Sequence, residues 1–220
     1  MSNHTSFPDH GLYVITRDPS EMRLNILDEV DAAIQGGAAV VQYRAKGGRA
    51  SVEEARVLLD RCRKSRVPLI INDDVDLALK VGADGVHLGR EDANPVAVRA
   101  ILGSNAIIGI SCYDDVARAT QAQELGATYV AFGRFFPSQT KPYAPCAHQA
   151  TLREARKMLS VPIVAIGGIT FENGRSLVEA GAGLLAVIEG VFGGGDPESA
   201  ARRFQAFWTE NQSQLNAPPV

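Results

Sequence analysis

Three observations on the sequence predict one α/β domain, a (β/α)8 barrel of the TIM type. A Gly-Ala dipeptide recurs at Gly37-Ala38, Gly82-Ala83, Gly126-Ala127 and Gly181-Ala182, each time closing a helical pattern and opening an apolar run of strand length. Further strand openings lie between these landmarks, at Val67-Pro68, Ala106 and Val161-Pro162. The runs show little alternation, as expected of parallel strands covered by helices.

Taken in order, strands are expected over residues 12–16, 40–44, 69–72, 85–88, 107–111, 129–133, 163–166 and 184–188. Amphipathic spacing predicts helices over 52–59, 114–125 and 152–159. Asp74 reads as the cap of a helix beginning near Val75, and Asn94-Pro95 as a cap followed by a first helical residue. An open, doubly wound sheet shares this alternation, but the count of eight and the regular period favour closure. The chain of 220 residues is long for two cores and comfortable for one barrel, expected over 11–209 between flexible segments at 1–10 and 210–220.

Composition narrows the function. With 45% hydrophobic and 21% charged residues, a sizeable core can form without disulfides or structural metal. A net charge of −3 and a pI near 5.8 provide no basic field for nucleic acid. Cys62, Cys112 and Cys146 are odd in number and widely spaced, which suits reduced thiols in a cytoplasmic protein. The first ten residues lack the basic-then-apolar order of a signal peptide, and no apolar run reaches the ~20 residues of a membrane span. Small molecules are therefore the expected partners, with no nucleic acid or membrane, and self-association into a homo-oligomer is left open.

In a barrel of this type chemistry sits where strands run into helices. The polar outliers collect there. After the second strand come Gln42, Tyr43, Arg44, Ala45 and Lys46, with strand periodicity placing Gln42, Arg44 and Lys46 on one side, suited to a polyphosphate. A solvated strand end of mixed charge would look the same. Asn72-Asp73 and Asp92 follow the third and fourth strands, and hard carboxylates beside a phosphate clamp suit Mg²⁺. His87 ends an apolar strand and reads as a packed, hydrogen-bonded histidine rather than a catalytic one. Ser111 either donates to a phosphate oxygen or simply ends its strand. The long segment after the sixth strand, with Ser138, Gln139, Thr140 and Lys141, reads as a lid over 134–145 that orders on ligand binding. Gly167-Gly168 after the seventh strand would let backbone approach an anion, and the eighth ends Ile188-Glu189.

These residues, in this order, make a sequence that resembles the thiamine-phosphate synthase family from about Gly11 to Phe192. The motif Q-x-R-x-K stands at Gln42 to Lys46, I-N-D at Ile71 to Asp73, and D-G-V-H-L-G-x-x-D at Asp84 to Asp92. G-x-S stands at Gly109 to Ser111, F-P-[ST]-x-T-K at Phe136 to Lys141, and A-I-G-G-I at Ala165 to Ile169. The resemblance implies a transferase that joins an aminopyrimidine diphosphate to a thiazole phosphate, plain or carboxylated. It implies that Gln42, Arg44, Lys46, Asn72, Ser111 and Lys141 hold the pyrimidine diphosphate, with Arg44, Ser111 and Lys141 catalytic and Tyr43 and Ala45 among the substrate contacts. By the same resemblance Asp73 and Asp92 hold Mg²⁺, and Ser138, Gln139, Thr140, Gly168, Ile188 and Glu189 surround the thiazole phosphate.

Two positions depart from the family pattern. Tyr113 stands where many relatives have His, and Glu189 where many have Ser, so the Glu189 carboxylate is expected to point away from the phosphate. The rival readings are a thiazole tautomerase and a non-catalytic sensor of phosphate ligands on the same fold. Neither needs a complete diphosphate and metal set.

Overall fold

Eight parallel strands close on themselves in chain order: β1 (Gly11–Ile15), β2 (Ala38–Tyr43), β3 (Leu69–Asn72), β4 (Gly85–Leu88), β5 (Ile107–Tyr113), β6 (Tyr129–Gly133), β7 (Ile163–Ile166) and β8 (Leu184–Val187). β8 pairs back onto β1, with Leu184 opposite Gly11 and Val187 opposite Val14. The structure is a computed structural model describing residues 5–17, 25–45, 50–89, 94–137 and 146–209. No helix among these residues is long and apolar enough to cross a membrane.

The helices α1 (Ile26–Gln35), α2 (Val52–Lys64), α3 (Val75–Val81), α4 (Pro95–Leu102), α5 (Val116–Glu124), α6 (Gln149–Met158) and α7 (Phe171–Glu179) follow successive strands, and α8 (Glu189–Phe192) and α9 (Pro197–Phe204) follow the last. Local chemistry sets their starts. Asp74 and Asn94 cap α3 and α4 through their side chains, accepting from Leu77 N and Val96 N, with Pro95 in the first turn of α4. All four glycines of the Gly-Ala repeat have positive φ, between 73° and 117°. At Gly82 this is the left-handed stop of α3, which frees the chain to turn into β4.

Boundaries differ from expectation where a side chain intervenes. The fifth helix starts at Val116 because Asp115, not Asp114, caps it by accepting from Arg118 N. β5 runs on to Tyr113 through an irregularity in its pairing with β6.

Alternating strand residues feed two layers. Tyr13, Ile15, Val40, Ile70, Tyr129, Val164 and Leu184 fill the barrel, while their neighbours Leu12, Val14, Val41, Ile71, Val130 and Leu185 pack under the helices. Phe7 belongs to the segment 1–10, for which flexibility is the sequence expectation. It lies against the barrel interior and stacks on Tyr129 with centroids 4.1 Å apart and rings 2° from parallel, so this part of the segment is tied down. The tail at 210–220 lies outside the described residues.

Among the described residues, Arg17 and Glu29 form a buried charged pair in this frame. Arg17, just past β1, bonds Glu29 on α1, and both side chains are 5% exposed or less.

Candidate active site

The C-terminal ends of the strands surround a cavity of about 660 Å³. β2 brings Gln42 and Arg44 to it, both buried. Arg44 is held by its main chain, since Thr16 Oγ1 accepts from Arg44 N at 2.9 Å and donates to Arg44 O at 3.3 Å. Tyr43, between them, also borders the cavity, but its phenol donates to Glu54 Oε2 at 2.6 Å and accepts from Ser51 N at 3.1 Å. Burial, reinforced by the Glu54 carboxylate, pushes the Tyr43 phenol well above its ordinary range. Its hydroxyl therefore stays protonated and fixes the start of α2. Ala45 lines the cavity, and Lys46 lies outside the described residues.

β3 and β4 deliver the next group. Asp73 N donates to His87 O at 2.9 Å, extending the pairing of these strands past their ends. Asp73 sits at φ 62°, and Asn72 Nδ2 donates to its Oδ2 at 2.6 Å. Both residues line the cavity, with Ser111 and Tyr113 of β5 beside them. Asp92 lies outside the described residues. The motif containing it divides its labour: Asp84 is buried at the opposite end of β4, where its Oδ2 accepts from Leu69 N at 2.9 Å, so it belongs to the architecture.

The residues missed by sequence reasoning stand at the floor of the cavity. His87 Nδ1 is 2.9 Å from Tyr129 Oη, and His87 Nε2 is 2.9 Å from Ser111 Oγ. Tyr129 Oη meets Tyr13 Oη at 2.8 Å, and Gln42 Nε2 donates to Tyr13 Oη at 2.8 Å. His87 is packed and hydrogen-bonded as expected, yet it lines the cavity and touches a predicted site residue. The glycine of G-x-S was the available signal. A Cβ on Gly109 would lie 2.0 Å from Tyr129 Cζ, so glycine here makes room for the phenol.

On the far side, β6 and β7 leave the barrel in close contact. Phe135 N donates to Ile166 O and Phe136 N to Gly167 O. Gly168 borders the cavity at φ 63°, and a Cβ there would lie 2.3 Å from Pro137 O. Its missing side chain thus also serves the contact with residues 136–137. Ser138, Gln139, Thr140 and Lys141 lie outside the described residues, as does most of the expected lid. At the start of α6, Asp114 accepts from His148 N, His148 Nδ1 and Thr151 Oγ1 at 2.9, 2.8 and 2.5 Å. Partial burial raises the Asp114 pKa, but these hydrogen bonds outweigh it and hold the carboxyl below its usual range.

Ile188 and Glu189 complete the rim. The Glu189 carboxylate folds back along its own helix toward Gly193, where a Cβ would sit 2.9 Å from Oε2. Glu189→Ser should therefore change affinity for a phosphate ligand in the cavity by less than about twofold, as for a surface change away from the ligand. Gly168→Val should weaken it, because a β-branched residue at positive φ must push residues 136–137 aside. Titration of both variants with a phosphate-bearing substrate checks the pair; a large gain for the serine would mean that the carboxylate opposes the ligand.

The three cysteines are free. Cys62 and Cys112 are buried, and burial pushes each thiol up to about 12, while Cys146 is exposed. A thiol reagent at pH 8 is expected to modify Cys146 first by a wide margin; equal rates at all three would contradict this packing.

Comparison with known proteins agrees with this arrangement. A family model described as thiamine monophosphate synthase matches residues 12–191. The thiamine-phosphate synthase of Methylococcus capsulatus is 50% identical over 203 residues, 91% of this chain and 90% of that protein. That of Nitrosococcus oceani is 50% identical over 197 residues, 89% of this chain and 91% of that protein. Among solved structures, thiamine phosphate pyrophosphorylase from Pyrococcus furiosus superposes with a TM-score of 0.81 at 32% identity, covering 92% of this chain and 96% of that one. With a matching family model over most of the barrel and relatives at this identity over nearly its full length, the chain belongs to the thiamine monophosphate synthase family.

Proposed function

We propose that the thiamine-phosphate synthase activity of this chain is carried out in the cavity at the strand ends, where an aminopyrimidine diphosphate and a thiazole phosphate are joined with loss of diphosphate. The observation that carries this reading is the convergence of Gln42, Arg44, Asn72, Asp73 and Ser111 from the ends of three strands, β2, β3 and β5, on one cavity that Gly168 borders from the opposite wall. The chemistry needs no general base. The thiazole nitrogen already carries a lone pair, and the electron-rich pyrimidine stabilises positive charge at its exocyclic carbon as the C–O bond to diphosphate breaks.

The protein's task is to neutralise the leaving group and hold the two substrates together. Arg44, its main chain clamped by Thr16, presents a guanidinium to the diphosphate, while Asn72 and Ser111 are placed to donate hydrogen bonds to the same substrate. Ile15, Val164, Ile166 and Ala186 line the interior of the cavity and exclude water that would otherwise trap the pyrimidine cation. Lys141 and Ser138 to Thr140 would complete the clamp and the thiazole-phosphate contacts. Asp73 fits Mg²⁺, a hard cation that binds through one or two carboxylates and takes its remaining oxygens from water and phosphate. Asp92 is the expected second ligand. When bound, the ion would supply positive charge against the departing diphosphate.

The experiment is direct. Purified protein given both substrates and Mg²⁺ should form thiamine phosphate and diphosphate in equal amounts. Isomerisation of the thiazole phosphate alone, without pyrimidine or metal, would instead identify a tautomerase, and binding without turnover a sensor.

A further inference from the structure

We propose that Tyr13, Tyr129 and His87 form a one-way hydrogen-bond relay that begins at Gln42 and fixes Ser111 as a hydrogen-bond donor to the cavity. This rests on the reading of Ser111 as a substrate contact and adds the positioning residues behind it. The relay is continuous: Gln42 Nε2 to Tyr13 Oη 2.8 Å, Tyr13 Oη to Tyr129 Oη 2.8 Å, Tyr129 Oη to His87 Nδ1 2.9 Å, and His87 Nε2 to Ser111 Oγ 2.9 Å. It crosses the barrel from β2 through β1, β6 and β4 to β5.

Direction follows from donor and acceptor inventory. The Gln42 Nε2 amide can only donate, so the Tyr13 oxygen accepts from it and the single Tyr13 hydrogen is spent on Tyr129. Tyr129 then spends its hydrogen on His87 Nδ1. An imidazole that accepts at Nδ1 carries its proton on Nε2, and that proton is donated to Ser111 Oγ. Among the described residues Ser111 Oγ bonds only to His87, so the serine hydrogen is left for the cavity that Ser111 lines. Reversing the link between Tyr13 and Tyr129, or that between Tyr129 and His87, would leave a phenol hydrogen inside the barrel with no acceptor, because Tyr13 and Tyr129 are both fully buried. Reversing the link between His87 and Ser111 alone would make both ring nitrogens acceptors, which a neutral imidazole cannot provide.

Packing holds the relay in place. Phe7 stacks flat on Tyr129, and Tyr13 meets Tyr129 edge-on at 5.9 Å between centroids. Gly109 leaves the slot in which the Tyr129 phenol lies. Burial also keeps both phenols protonated. The consequence for catalysis is that Ser111 meets an acceptor on the substrate, such as a diphosphate oxygen or a ring nitrogen, and that His87 enters the reaction as a neutral ring behind it. A neutral ring adds no charge to oppose a cation developing nearby.

Two measurements test this on the full chain. In ¹⁵N NMR of the free protein, with the His87 signals assigned by their loss in His87→Gln, Nε2 should show the shift of a protonated ring nitrogen and Nδ1 that of an unprotonated one. The opposite pattern would overturn the relay's direction. The second measurement is a kinetic cycle. Tyr129→Phe keeps the ring in its slot and removes only the hydroxyl, so circular dichroism should be unchanged while kcat falls roughly tenfold, about the loss of one oriented hydrogen bond. Because Tyr129 acts through Ser111, adding Tyr129→Phe to Ser111→Ala should cost almost nothing further. Full additivity of the two losses, or no change of the His87 tautomer in Tyr129→Phe, would show that Tyr129 only fills space. The NMR arm needs no substrate, so it stands or falls separately from the assigned reaction.

Discussion

Chelation of divalent cations should abolish thiamine phosphate formation, and added Mg²⁺ should restore it. The companion variant is Asp73→Asn, which removes the charge at the same size. Asp73 sits at φ 62°, a conformation that asparagine adopts at least as readily as aspartate, so the backbone has no reason to move. The Asn72 contact to Oδ2 can be kept through the amide oxygen. What is lost is the carboxylate charge that would hold Mg²⁺, and with it the positive charge set against the departing diphosphate. That charge matters most as the C–O bond breaks, so the loss should appear in kcat as well as in binding. Electrostatic stabilisation of this kind is worth ~3 kcal/mol, which corresponds to a loss of about a hundredfold or more. Asp92→Asn is expected to do the same. The thermal midpoint should hardly move, since a carboxylate at the cavity edge has little packing to lose. Undiminished turnover in metal-free buffer would remove Mg²⁺ from the mechanism.

The largest stability effect is expected at the buried pair of Arg17 and Glu29. Both side chains are almost fully removed from water, and each relies on the other for charge compensation. Glu29→Leu leaves a buried guanidinium without its counter-ion, a change that costs about 3–5 kcal/mol when one partner is removed alone. For a domain of this size the thermal midpoint should drop by on the order of 10 °C. The double variant Arg17→Met with Glu29→Leu should recover most of that loss, because two apolar side chains of similar volume have no charge to desolvate. If the single and double variants melt together, the pair is not the origin of the effect.

Much of the candidate site was legible because barrels place function at strand ends, and strand ends can be read from apolar periodicity. Gln42, Arg44, Asn72, Asp73 and Ser111 were each singled out as the last polar residues of an apolar run, and each lines the cavity. Gly168 was found by its place after β7, but its contact with residues 136–137 was not legible, since only the fold shows them lying across it. His87, Tyr13 and Tyr129 escaped for a different reason. Inward tyrosines on strands look like ordinary core, and a histidine closing an apolar strand looks like a satisfied one; their hydroxyls and ring nitrogens gain meaning only when β1, β4 and β6 face one another across the barrel.

The sequence by itself determined the closed eight-stranded barrel, the caps Asp74 and Asn94, the turns at the four Gly-Ala pairs and the family, because each depends on local periodicity, local backbone preference or contiguous motifs. Tertiary structure alone decided which polar atoms meet. Gln42 and Ser111 are 69 positions apart in the chain, yet three side chains join them through contacts of 2.8 to 2.9 Å. Hydrogen bonds depend on distance and angle across the closed barrel rather than on spacing along the chain, so no motif could have predicted them.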